Sequence, residues 1–218
     1  MKTRNKLYYK SRLRLLCLLT VLLGLFGAGQ TWAGNPTTLT VGGTNVLNGG
    51  YWTTNADGTL TEASADNYNV YYDGNGTLTL KDATITGDSS TNFSAGIYAE
   101  GDLTIVLEGS STVTGVVCND QSRGINTLDG NLTIQGGGSL TARGADTSGG
   151  GSCSYGIYVY GSFTQQGGSV TAIAGNVSGN NPSSGLDVSG TVTVKGGTLT
   201  ATGGSAARNI SYGISAYS

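Results

Sequence analysis

The chain has 218 residues, with 38 glycines, two prolines, three cysteines, no histidine and 11% charged side chains. Without histidine there is no Ser-His-Asp triad, no imidazole base and no His-liganded zinc or haem; glycine this abundant without a G-X-Y period is not collagen, and long helices are not expected. The net charge of −2 hides an asymmetry, because six of the eleven cations fall before residue 15.

Those six are Lys2, Arg4, Lys6, Lys10, Arg12 and Arg14, and the apolar run Leu15 to Phe26 follows them, then small and polar residues up to Ala33. A charged segment, a short apolar core and a small-residue end are the layout of a secretory signal peptide, so residues 1–33 are expected to be removed. The run is short for a membrane span of about 20 residues; an uncleaved anchor is the alternative. Beyond Ala33 the cations are Lys81, Arg123, Arg143, Lys195 and Arg208 against all 13 carboxylates, a net charge of −8. A secreted or cell-surface location follows, with no nucleic-acid partner and no stable membrane insertion after cleavage. Export also leaves Cys118 and Cys153 as an even pair in an oxidising compartment, in loops of adjacent repeats. They are a candidate disulfide, with two buried thiols as the alternative.

Residues 34–69, including Val41-Gly42-Gly43-Thr44 and Gly49-Gly50-Tyr51-Trp52, follow no repeat and are expected to cap what comes next. From residue 70 to 218 the chain repeats. Gly96-Ile97, Gly124-Ile125, Gly156-Ile157, Gly185-Leu186 and Gly213-Ile214 are spaced by 28, 32, 29 and 28 residues. Between them recur GDLTIVLEGSSTVTG, GNLTIQGGGSLTARG, GSFTQQGGSVTAIAG and GTVTVKGGTLTATGG, with an earlier copy, GTLTLKDATITG, at 76–87. Each repeat holds three short alternating runs bounded by glycine, which read as strands. Stacking them predicts an all-β, right-handed parallel β-helix of three sheets and about five coils. Expected inward columns are Leu78, Leu103, Leu132, Phe163, Val192 and Ile85, Val113, Leu140, Val170, Leu199. Gln165 falls in a column with Leu80, Ile105, Ile134 and Val194, so its amide is expected to bond a turn backbone group of a neighbouring coil. Gly136-Gly137, Gly167-Gly168 and Gly196-Gly197 mark tight corners, replaced in the first copy by Asp82-Ala83. The last repeat stops one strand in, at Tyr212 to Ser218, as a truncated array would, or as an edge that pairs with something else.

The VGGTNV…GGYW opening, NVYYDGNGTLTLKDATITG and the GI-x-x-x-G-x-LT-x-x-GG-x-LTA repeat resemble secreted bacterial carbohydrate-binding domain-containing β-helix proteins of the pectin-lyase-like fold class, over roughly residues 39 to 218. The resemblance implies a cell-surface or extracellular polysaccharide-binding or adhesion module, in some relatives with calcium. Calcium-linked relatives carry acids around the Gly-Ile strand; here Glu100, Asp102, Asp129 and Asp187 fall near it without forming a ladder, so a metal site is left unassigned.

From the residues themselves, Tyr98, Asn126, Tyr158 and Asp187 share the outward position after Gly-Ile/Leu, with Tyr160 two residues beyond Tyr158. Phenol rings beside Asn and Asp suit the faces and hydroxyls of a sugar, although tyrosine is also an ordinary strand residue. These five are the candidate ligand-binding residues. No catalytic residue is assigned: a polysaccharide lyase needs a positioned base and a cation site, and Arg123, Arg143 and Arg208 read as scattered over loops. The remaining alternatives are a structural surface solenoid and an ice-binding face, the latter from the outward Thr84/Thr86, Thr112/Thr114, Ser139/Thr141, Ser169/Thr171 and Thr198/Thr200.

Overall fold

In the segment LTIVLE, Leu103, Ile105 and Leu107 are buried and the side chains between them are not, as period-2 alternation requires of a strand with one wet face. The computed structural model describes residues 34–88, 92–149, 152–206 and 210–217, so the expected signal peptide at 1–33 lies outside the described residues. Five strands come first: β1 (Thr38–Val41), β2 (Thr44–Asn45), β3 (Gly50–Thr54), β4 (Leu60–Glu62) and β5 (Val70–Tyr72). Each further circuit of the chain then contributes three. These are β6 (Thr77–Lys81), β7 (Thr84–Thr86) and β8 (Phe93–Glu100); β9 (Leu103–Glu108), β10 (Ser110–Thr114) and β11 (Gln121–Leu128); β12 (Leu132–Gly136), β13 (Ser139–Arg143) and β14 (Cys153–Val159); β15 (Phe163–Gln165), β16 (Ser169–Ile173) and β17 (Ser183–Val188); β18 (Val192–Val194), β19 (Thr198–Thr202) and β20 (Ser211–Ala216).

Equivalent strands pair in parallel from coil to coil, giving an all-β solenoid of about five coils with three sheets. The first strands of each circuit form a Leu-Thr sheet, the second a Thr sheet and the third a Gly-Ile sheet. The strands before the repeats join differently. β1 runs antiparallel to β8 and extends the Gly-Ile sheet, while β5, β3 and β4 extend the Leu-Thr sheet as an antiparallel meander. Among the described residues no helix is long and apolar enough to cross a membrane.

One continuous core runs up the interior, from Leu39 and Trp52 through Ile97, Ile134 and Phe163 to Leu186. All three expected columns differ from the expected register by two residues at one step. Leu78 pairs with Ile105 rather than Leu103, and Leu80 with Leu107. The cause is that β6 arrives from a hairpin with β5, so Thr77 rather than Thr79 stands opposite Thr104 and Gly76 is not equivalent to Gly101. In the Thr sheet Val113 pairs with Ala142, and Ser111 is the neighbour of Leu140. Ser111 fits indoors because its hydroxyl accepts the Ala83 N–H at 3.0 Å, leaving no bare polar group. The remaining pairings, Leu132 with Phe163 and Val192, and Leu140 with Val170 and Leu199, follow the expected columns.

The corners are also where the sequence places them. Gly136, Gly168 and Gly197 take φ of 101°, 73° and 82°, and Asp82 takes 49° at the same corner of the first coil. Gln165 is fully buried and its Nε2 donates to the carbonyls of Gly167, Gly168 and, on the next coil, Thr198, at 3.3, 3.1 and 3.1 Å. Side chains tie other corners between coils. Ser122 and Ser154, stacked in one inward column, accept the N–H groups of Ala145 and Gly175 at 2.8 Å each. Asp102 accepts the Asn131 N–H at 2.6 Å, and Asn131 in turn accepts that of Ser162 at 2.8 Å.

The Thr sheet carries a more regular hydroxyl ladder than expected. Thr84, Thr112, Thr141, Thr171 and Thr200 form one unbroken outward column, flanked by Ser110, Ser139, Ser169 and Thr198.

Cys118 and Cys153 are free thiols, both buried, and no bridge joins them. They occupy different columns, and Cys153 lies in a strand rather than in the loop where it was expected. Cys118 stacks on Thr147, whereas Cys153 lies within β14 and pairs with Gln121. Burial raises the pKa of each thiol above its usual range, which suppresses the thiolate that exchange or oxidation requires.

Candidate functional site

Each strand of the Gly-Ile sheet reads x-Ser-x-Gly-Ile-x, and in the first four the serine and the Ile/Leu are both buried although three residues apart. The alternation is therefore interrupted at the glycine. The residues before the glycine and after the isoleucine both lie off the core face, giving two adjacent columns whose members are mostly covered, Asn126 and Ser184 completely. One is Ala95, Arg123, Tyr155, Ser184 and Tyr212, and the other is Tyr98, Asn126, Tyr158, Asp187 and Ser215. Tyr98, Asn126, Tyr158 and Asp187 thus stand in one column, one per coil. Tyr160 lies past the end of β14, 55% exposed and outside that column.

Arg123 organises the surface, and reading it as a loop residue missed this. It lies in β11 and is 7% exposed. Its guanidinium carbon sits 4.1 Å from the Tyr158 ring centre and 5.5 Å from those of Phe93 and Tyr155. Nη1 donates to Asn126 Oδ1 at 2.7 Å and Nη2 to Gln121 Oε1 at 2.6 Å. Both acceptors are neutral amides. The Nε of Arg123 and the Nδ2 of Asn126 are buried with no hydrogen-bond partner.

Beside this group a concavity of about 550 Å³ opens over β8 and β11, with Phe93, Tyr98, Arg123 and Asn126 in its lining and Thr40 and Asp88 also lining it. Tyr98 meets Phe93 edge-on at 5.9 Å, and its hydroxyl donates to Glu100, which Thr38 also engages at 2.8 Å. Burial and the bond to Glu100 push the Tyr98 phenol up to about 12, so it stays a neutral donor. The one signal in the sequence for this site was the position before Gly-Ile. Aligning Ala95, Arg123 and Tyr155 there would have put the arginine next to the tyrosine column.

Asp187, two coils above Asn126, is 5% exposed. Burial raises its carboxyl above the ordinary range, against a hydrogen bond from Ser215 and the charge of Arg123. A carboxyl whose folded pKa exceeds its unfolded value stabilises the fold when protonated, and that stability is lost as pH rises through the folded pKa. Asp187→Asn is therefore expected to raise the melting temperature at pH 7, with the gain shrinking towards about pH 4, near the unfolded value. Melting curves of both proteins across that range check the sign; a variant less stable at pH 7 and equal at low pH would reverse it.

Of the acids near the Gly-Ile strand, Glu100 and Asp102 take hydrogen bonds from protein donors at separate places. Among the described residues no three His, Cys, Asp or Glu side chains gather as a metal site requires. A second aromatic group lies on the meander, where Tyr51 stacks on Tyr71 at 4.5 Å with Tyr68 alongside. Comparison of the chain with family models, curated proteins and solved structures finds no match.

Proposed function

We propose that the chain is an exported, non-enzymatic polysaccharide-binding or adhesion module, a right-handed solenoid capped by residues 34–69, that engages a glycan along the outer Gly-Ile sheet. The observation that carries this reading is the concavity at β8 and β11, which sets the aromatic side chains Phe93 and Tyr98 beside the hydrogen-bonding groups of Thr40, Asn126 and Arg123. Sugar recognition needs both an apolar face to stack on and convergent polar groups to orient hydroxyls. Register supports it further, since the column continues through Tyr158 at one residue per coil and so matches a repeating ligand with a repeating surface.

Glycan arrays and polysaccharide pull-downs with the purified chain, with and without calcium, test the proposal. Tyr98→Ala is expected to weaken the glycan bound by the native chain about tenfold, equivalent to about 1.4 kcal/mol. Tyr71→Ala, in the separate meander cluster, leaves it unchanged. Failure to bind any glycan would leave a structural surface solenoid, and loss on Tyr71→Ala with none on Tyr98→Ala would move the site. Release of unsaturated products from a polyuronate would replace the reading with a lyase.

A further inference from the structure

A guanidinium removed from water without a carboxylate partner is costly, because neutral acceptors and ring faces offset only part of the lost hydration. Arg123 is in that condition. Its donors reach the amide oxygens of Asn126 and Gln121, the Cys153 thiol lies beside it, three aromatic rings surround its plane, and no carboxylate forms an ion pair with it among the described residues. Asp187 lies near enough to sense its charge without pairing with it. Two buried donors at this point, Arg123 Nε and Asn126 Nδ2, have no acceptor, and both residues line the concavity. The two residues that carry the charge and the unmet donors thus stand side by side in one lining.

We infer that this concavity is an oxyanion subsite, taking the carboxylate or sulfate group of an acidic sugar residue through Arg123 and Asn126. This rests on the polysaccharide reading above. The planar guanidinium matches either oxyanion in geometry. Asn126 lies beside it in the lining with its Nδ2 unpaired. A volume of about 550 Å³ suits a sugar-sized ligand, with Phe93 and Tyr98 beside the ring and Thr40 and Asp88 accepting from its hydroxyls. Asp88 is the one acid in the lining and it is exposed, so water and salt screen it, whereas the buried Arg123 is screened far less. The same screening, over about 8 Å at physiological ionic strength, keeps the acidic remainder of the surface from deciding a contact interaction.

The test uses matched polymers: a polyuronate against its carboxyl-reduced form, and a sulfated polysaccharide against its desulfated form. Free acetate and sulfate are added as small probes in melting experiments. Arg123→Ala would remove packing between three rings, so the deciding variant is Asn126→Asp. It sets a carboxylate against Nη1 and closes an internal ion pair, expected to keep or raise the melting temperature while filling the anion's role. The native chain is expected to bind at least one acidic polymer about tenfold more tightly than its neutral partner. Asn126→Asp should lose that preference and any stabilisation by free anions. Equal affinity for acidic and neutral polymers, or a preference that survives in Asn126→Asp, overturns the subsite and leaves sugar binding standing. Stabilisation of the native chain alone by small anions, with no polymer bound, supports the subsite and overturns the polysaccharide reading. No response to any probe overturns both.

Discussion

Phe163→Ala is expected to destabilise the fold by about 3 to 5 kcal/mol, the range for deleting a fully buried aromatic side chain. Phe163 is completely buried in β15, between Leu132 on one side and Val192 on the other. A solenoid coil has no core apart from its neighbours, so a void in the fourth coil removes contacts from the coils on both sides at once. For a chain of this size a loss of about 4 kcal/mol corresponds to a melting temperature lowered by roughly 8 to 16 °C. Val192→Ala, in the same column, should cost less, because Val192 is smaller and only partly buried. Denaturant unfolding of the two variants measures the contrast. Equal costs, or a cost below about 1 kcal/mol for Phe163→Ala, would mean that the interior is not packed as described.

Gly124→Ala is expected to cost about 3 kcal/mol, at the upper end for overpacking a core. A Cβ at this position would stand 2.6 Å from the Arg143 nitrogen and 2.6 Å from the Gly156 carbonyl oxygen, both backbone atoms of neighbouring strands. Side chains can swing away from such a contact, but these atoms belong to hydrogen-bonded strands of the next coil. The strand must move or the sheets must separate. Gly137→Ala is the matched control, since a Cβ there meets nothing within 4 Å and the residue is exposed. Comparable losses at both positions would show that glycine at the Gly-Ile motif serves chain flexibility rather than close packing.

The Gly-Ile spacing, the alternating Leu-Thr and Thr runs and the glycine corners are enough to establish an all-β coiled stack, because each depends on residues a few positions apart and on the two-residue period of a strand. The same locality made the Tyr98, Asn126, Tyr158, Asp187 column legible in the amino-acid sequence, as well as the buried amide of Gln165. Register in the first coil was not legible there. Gly76 resembles Gly101 in its neighbours, and only the hairpin between β5 and β6 shifts it out of register with Gly101. Nor was the doubled serine at 110 and 111, where the choice of which one turns inward rests on the Ala83 N–H 28 residues away.

Arg123 was hidden for the same physical reason. Its sequence neighbours mark it as a charged residue before a glycine, ordinarily solvated. Its burial comes from Phe93 one coil below and Tyr155 and Tyr158 one coil above, and its hydrogen-bond partners include Asn126, which its own strand turns back towards it. The sequence by itself determined the repeat, the alternation of the Leu-Thr strands and the excess of acids beyond residue 33, all set by local patterning. The tertiary structure decided register, the separate columns of the two cysteines and the unpaired cation beside the concavity, because each depends on which coil lies against which.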